Sequence, residues 1–350
     1  MIWVRRLSVA GTILAFLALP RGLMGAPAAT GNAVHQPPGI ASLVRLESSP
    51  AVVDVAYRYG QVTAAADGAY GPNVSAPRSA WYLEYQRAGA TDVIAGVLRE
   101  DPALIAEGLR IFHFGLARET RIGGFPGSAW PFHGTAFFLS EAAPALLVLR
   151  ASSFAPQFAA ELSWQTLRMQ RAAHYMVRWV GGPGKIDDHT KDHRWYEAAI
   201  ALGAAGVLAG DEQLVQWSHL YAQSGMRQQW ANGVMPEDGG HDSGYQALGL
   251  SSAVRYLVLV AGGRLRTTLY RALQLGEQWE LSRIESDGSV NQAGDTRTAG
   301  CRERDPAGQC KTVFYAPIYT ALARWAVVSG DPRFQAAATL VWQRSGYGNG

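Results

Sequence analysis

Three observations predict an all-α fold, a toroid of helical hairpins in the form of an incomplete α/α barrel. Some ten segments carry apolar residues at helical spacing, no run of alternating strands or strand-helix-strand rhythm interrupts them, and Gly-rich polar loops recur between the helix pairs. In such an arrangement the loops at one end of the ring surround a common cleft.

Ile40–Tyr59 is the first helix expected, and the Gly-, Ala- and Pro-rich residues 65–78 that follow read as a loop. Trp81–Leu98 and Ala103–Arg118 form a hairpin divided at Asp101-Pro102. Such a pair starts helices because aspartate caps open N–H groups and proline fits the first turn. The Gly- and Pro-rich loop from Gly123 to Pro131 leads into helices over Thr135–Arg150 and Ala155–Val180, the second stopped by Gly181-Gly182-Pro183-Gly184. The polar stretch Asp187–Trp195 opens a helix to about Leu208, and Glu212–Arg227 starts after Gly210-Asp211. Asp242–Val260 and Leu265–Ile284 pair next. Beyond a polar loop over Asp287–Lys311, helices at Val313–Val328 and Pro332–Gln343 complete the set. Val207-Leu208-Ala209-Gly210-Asp211 and Val328-Ser329-Gly330-Asp331 echo one another as turns between paired helices.

At the N-terminus, Arg5 and Arg6 precede an apolar run from Leu7 to Leu19 that is too short to span a bilayer as a mature helix, and Ala26-Pro27-Ala28 offers a cleavage site. Residues 1–28 therefore read as a signal peptide, residues 29–39 as a flexible mature N-terminus, and residues 40–350 as one catalytic domain. The expected location is periplasmic or secreted, with no membrane span in the mature chain. Removing Arg5, Arg6 and Arg21 from the 31 basic residues leaves parity with the 28 acidic ones, so the mature chain is near neutral. No basic stripe or motif points to nucleic acid. Cys301 and Cys310 are the only cysteines and share one polar loop, which in an exported chain predicts a disulfide. No cofactor and no metal site are expected.

Three polar, Gly-rich loops at 123–134, 184–195 and 232–246 are separated by helical hairpins, so they belong on one rim. Within Glu237-Asp238-Gly239-Gly240-His241-Asp242-Ser243-Gly244-Tyr245-Gln246, Tyr245 stands at a helix entrance and can project its hydroxyl into the cleft as acid or base. A phenol is a poor base unless cations or hydrogen bonds favour the phenolate. His189 and His193 lie one helical turn apart, a spacing suited to a base with a substrate-binding neighbour or to a metal pair, and Arg194 could clasp a carboxylate. The glutamate of a His-Glu-x-x-His metalloprotease is absent. His133, with Trp130 beside it, and Trp195 with Trp230 could line a sugar platform, since aromatic faces stack on sugar rings. Arg297 could reach an acidic sugar. Asp242 can cap the following helix and still touch substrate, together with Glu237, His241 and Gln246.

Phe132-His133 before a helix, His189-x-x-x-His193-Arg194 at a helix start, and Gly239-Gly240-His241-Asp242-Ser243-Gly244-Tyr245-Gln246 together resemble the secreted bacterial (α/α)-toroid polysaccharide lyases of the alginate and glucuronan lyase type, over roughly residues 80–330. The resemblance implies β-elimination on an acidic polysaccharide or oligosaccharide. Tyr245 would be the acid and also a candidate base, His193 or His189 the base or neutralising group, with Arg194 and His133 at the carboxylate and no metal required.

Two departures bear on this expectation. Alginate lyases of this type usually present an Asn-His pair and an arginine shortly before the catalytic tyrosine; here Asp192 precedes His193 and the segment before Tyr245 is acidic. Glu237 and Asp238 would repel a polyanion if they faced it. The alternatives are therefore a toroid glycoside hydrolase using two of Glu237, Asp238 and Asp242, or a non-catalytic glycan-binding protein.

Overall fold

Four helix starts follow local capping chemistry, with the side chains of Asp101, Asp211, Asp242 and Asp331 each accepting from open N–H groups of the first turn. A computed structural model describes residues 39–57, 63–75, 81–179, 190–304 and 308–346, all within one compact unit, Pro37–Gly350. The expected signal peptide, nearly all of the mature N-terminus, and Asp187, Asp188 and His189 lie outside the described residues.

The chain begins with α1 (Ile40–Glu47) and a single turn, α2 (Pro50–Val52). The sequence predicts one helix over Ile40–Tyr59, but Ser49 is extended (φ −66°, ψ 139°) because Pro50 crowds the α conformation of the residue before it. A π-helical turn, Val53–Tyr57, continues from α2. Leu83–Ala88 is a 3-10 turn that runs into α3 (Gly89–Leu98). Asp101 caps α4 (Pro102–Leu116) by accepting the N–H groups of Ala103 and Leu104. α5 (Pro131–Arg150) and α6 (Ala159–Arg178) follow, then α7 (His193–Ala209) and α8 (Glu212–Gln228). α9 (Ser243–Leu259), α10 (Gly263–Leu281), α11 (Tyr315–Ser329) and α12 (Pro332–Arg344) complete the chain. The echoed turns are one device used twice: Gly210 and Gly330 take left-handed conformations, and Asp211 and Asp331 cap α8 and α12.

The described chain is all-α. It holds isolated β-bridges and no named strand among the described residues. α3, α5, α7, α9 and α11 pack in succession as an inner row and are buried on nearly every face, whereas α4, α6, α8, α10 and α12 bury one face each from outside. The π turn touches both α3 and α11, the two ends of the inner row, and α2 touches α11, an arrangement consistent with a toroid of hairpins. Among the described residues α5 alone is long and apolar enough to cross a bilayer, and 83% of its apolar window is buried inside the protein.

Among the described residues a four-times repeated turn precedes the hairpins that start with α3, α5, α9 and α11. At Gly68, Gly123, Gly233 and Gly288 the residue three before accepts the glycine N–H, φ lies between 79° and 94°, and an added Cβ would strike a backbone carbonyl of α4, α6, α10 or α12. Only glycine meets both demands.

α1 packs against α5, α9 and α11. The Gly39 N–H donates to the Val258 carbonyl near the C-terminal end of α9 (3.1 Å). The Glu47 carboxylate is fully buried and takes hydrogen bonds from Arg255 (2.7 Å), Arg324 (3.0 Å) and the Tyr57 hydroxyl (2.5 Å), and Arg255 also pairs with Glu141 (2.5 Å). Burial pushes the Glu47 carboxyl up, but Arg255 and Arg324 outweigh it and hold its pKa down to about 2.

Candidate active site

Short backbone bridges draw together the loops that enter the inner helices. The Asp192 N–H donates to the Pro236 carbonyl (2.9 Å) and the Asp238 N–H to the Thr190 carbonyl (2.6 Å), tying the start of α7 to the loop before α9. The Thr296 N–H donates to the His241 carbonyl (2.7 Å), tying that loop to the one before α11. At Gly249 on α9 an added Cβ would lie 2.9 Å from the His193 Cα, so α9 approaches α7 this closely only because that residue is glycine.

These loops and the segments 82–87 and 130–137 surround a cleft of about 780 Å³. The structure brings Trp130, His133, His193, Arg194, Tyr245 and Arg297 to its walls. It adds Arg87, Lys191, Arg304 and Lys311, none of which the sequence had singled out, and the aromatics Tyr82, Tyr85, Phe137 and Phe314. Six cations therefore face Glu84 and Glu303, and Glu303 is already held by Arg297 and Lys311. Hydrogen bonding by Arg297, reinforced by Lys311, keeps the Glu303 carboxyl down at about 2. A near-neutral chain has concentrated positive charge in one cleft, a field suited to an acidic ligand.

His193 forms the centre of the site. Its Nδ1 lies 2.8 Å from Oε2 of Glu237, and Arg297 donates to the other oxygen of the same carboxylate (2.8 Å). A carboxylate only accepts, so Nδ1 carries the proton and Nε2 is left as the basic nitrogen. Burial, helped by the positive charges of Arg194 and Arg297 and opposed by Glu237, pushes the His193 pKa down and keeps the ring neutral. Its ring centroid is 4.9 Å from that of Tyr245. Arg297 lies over the other ring, 3.8 Å from the Tyr245 centroid, and the Lys311 ammonium donates to the Tyr245 hydroxyl (3.4 Å). Positive charge thus stands where charge would develop on that oxygen. Burial, with Arg194, His193 and Lys191 nearby, lowers the His133 pKa to about 2, so that imidazole is neutral as well.

The remaining predicted residues are placed differently. Glu237 is not a substrate contact facing the ligand: it is 1% exposed and spent on His193 and Arg297, which removes the repulsion its sequence position implied. Asp238 pairs with Lys191 (3.0 Å) outside the cleft walls. Asp242 is buried and caps α9 through the Tyr245 N–H (3.2 Å), with burial raising its pKa to about 6. Gln246 is buried and braces the preceding turn, accepting from the Met235 N–H and donating to the Gly233 and Gly276 carbonyls. His241 turns towards Asp295 and the edge of Trp279. Trp195 is a core residue, 7% exposed and tilted against Tyr221 between α7 and α8; a tryptophan at helical spacing reads the same either way in sequence. Trp230 is exposed on a turn away from the cleft. None of Glu237, Asp238 and Asp242 is among the residues that line this cleft.

Trp130 caps α5 from a left-handed conformation (φ 52°, ψ 63°) with its side chain 62% exposed at the cleft. A bulky residue takes that conformation only where its surroundings enforce it. The Cys301–Cys310 disulfide is formed and closes the loop that brings Arg304 and Lys311 to the cleft. Among the described residues no group of three or more His, Cys, Asp or Glu side chains is arranged to hold a metal ion.

Comparison with protein-family models, with curated proteins and with solved structures finds no match for this chain.

Proposed function

We propose that this chain is an exported polysaccharide lyase that cleaves a uronic-acid-containing glycan by β-elimination. One observation carries the reading: a neutral histidine whose tautomer is fixed by Glu237 lies against Tyr245 inside a cleft rich in cations. Cations at the C6 carboxylate would withdraw charge and acidify the neighbouring C5–H. Arg194 and Lys191 stand nearest the entry of α7 for this role, with neutral His133 as a hydrogen-bonding partner. His193 Nε2 takes the C5 proton, and the C–H electron pair becomes the C4=C5 double bond. As the C4–O bond breaks, Tyr245 gives its hydroxyl proton to the leaving glycosidic oxygen. Proton return from His193 to the phenolate, across adjacent rings, restores both groups. The aromatic residues of the cleft, Trp130 foremost, supply stacking faces for sugar rings.

The test is a panel of polyuronates and neutral glycans, read by ultraviolet absorbance of the unsaturated uronide and by new reducing ends. Elimination on polyuronates alone supports the proposal. Reducing ends without that absorbance would point to hydrolysis, and binding without cleavage to a glycan-binding protein.

A further inference from the structure

Below the cleft lies a second cavity of about 280 Å³, walled by α3, α5, α9 and α11. The two share Arg87, Leu248 and Phe314 as walls, so they adjoin. From the far end α1 enters the same space, and Glu47 at its C-terminus is locked to Arg255 and Arg324, both of which line the cavity. Among the described residues this cluster closes the chamber on the side of α1.

The chemistry of this chamber is unlike that of a packed core. Arg255, Arg324 and Glu141 offer charged donors and an acceptor, Thr91, Ser251 and Thr320 offer hydroxyls, and Phe314 gives an apolar face. Arg324 is only 3% exposed, yet its Nε finds no hydrogen-bond partner among the described residues. At about 30 Å³ per water the chamber holds about nine waters, the room of a single sugar ring rather than of a passing chain.

We infer that the cleft and this chamber act as one blind pocket: the chamber binds the terminal sugar of the glycan, and cleavage proceeds from a chain end. This rests on the proposed lyase reading. A polymer lying across the cleft mouth could not fill the chamber, because α1 leaves no exit for the chain beyond it. A terminus can descend past Arg87 and Phe314, with its hydroxyls meeting the polar walls and its ring face meeting Phe314.

The experiment uses the full mature chain with unbranched polyuronates carrying a fluorophore at the reducing end. The expected result is release of monomers or dimers from the outset, with slow loss of polymer length. Mid-sized oligomers together with an early collapse of viscosity would overturn the inference while leaving the elimination reading intact. Thr320→Phe and Thr91→Phe fill the chamber without touching the cleft cluster. Each is expected to raise KM at least tenfold at an unchanged thermal midpoint, and unchanged KM in folded variants overturns the inference. If no polyuronate is eliminated, the lyase reading fails, and calorimetric titration with free glucuronate and galacturonate decides the chamber. Binding by the parent that is lost in Thr320→Phe supports a sugar site there; no binding, or equal binding by both, overturns it.

Discussion

One carboxylate holds two cleft residues at once: Glu237 accepts from His193 Nδ1 and from Arg297 Nη1, both at 2.8 Å, while itself remaining 1% exposed. Glu237→Gln keeps the volume but can turn an amide N–H towards Nδ1, moving the imidazole proton to Nε2 and abolishing the base. The expected loss is about 100-fold in kcat, the lower end of what general acid–base catalysis contributes, with KM changed much less. Steady-state kinetics on the folded variant checks this, and an effect confined to KM would make Glu237 a binding residue.

The acid limb of activity should fall below the ordinary histidine range. His193 works as the neutral form, and burial lowers its pKa from 6.5 in the folded protein. On acidification the base is therefore retained through pH 6.5 and is lost only as the pH falls through the lower folded value. A profile of kcat/KM against pH reads it directly, and an acid limb centred above 6.5 contradicts it.

Lys311 stands 3.4 Å from the Tyr245 hydroxyl and pairs with Glu303 at 2.7 Å. Lys311→Met should lower kcat/KM for a polyuronate about tenfold, equivalent to about 1.4 kcal/mol. For the parent protein, KM should rise steeply towards about 1 M salt, where the screening length shrinks to about 3 Å. Kinetics across a salt series checks both. A KM indifferent to salt would remove the cationic cleft from substrate capture.

Glu47 should carry acid sensitivity of the fold. Its pKa falls from 4.5 to about 2 on folding, so the stabilisation is present above pH 4.5 and is lost as pH drops from 4.5 towards 2. That shift corresponds to about 3 kcal/mol at neutral pH. Glu47→Gln also takes from Arg324 its carboxylate partner, while Arg255 keeps Glu141, and removing one partner of a buried pair costs about 3–5 kcal/mol. Burial raises the pKa of Glu277 and Glu280 and gives them the opposite pH trend, so the quantity to follow is the difference between parent and variant. Urea unfolding at pH 7 and near pH 3 should show that difference shrinking as the medium is acidified.

Much of the scaffold was legible because its signals are local. Asp101, Asp211, Asp242 and Asp331 all cap the helices their positions announced, and the two cysteines joined as their shared loop implied. The break at Ser49-Pro50 was missed although the residue before a proline avoids the α conformation, because apolar spacing on both sides mimicked one helix. At the site, sequence distance ranked residues wrongly. Glu237 read as a repelling acid because its neutralising partner Arg297 stands sixty residues away. Lys311 and Arg304 escaped notice because only the disulfide-closed loop brings them to Tyr245 and the cleft. Trp195 and Gln246 lie beside motif residues, but the helical turn points them into the core.

The central claim is that Tyr245 protonates the leaving oxygen of a uronide in this cleft, and Tyr245→Phe tests it most directly by deleting one hydroxyl and keeping the ring that packs against His193 and Arg297. The measurement is the rate of unsaturated-uronide formation, followed by ultraviolet absorbance with parent and variant at saturating substrate. The account predicts a loss of about 10²–10⁴-fold in kcat with circular dichroism and thermal midpoint unchanged. A folded Tyr245→Phe protein that retains full turnover would contradict it.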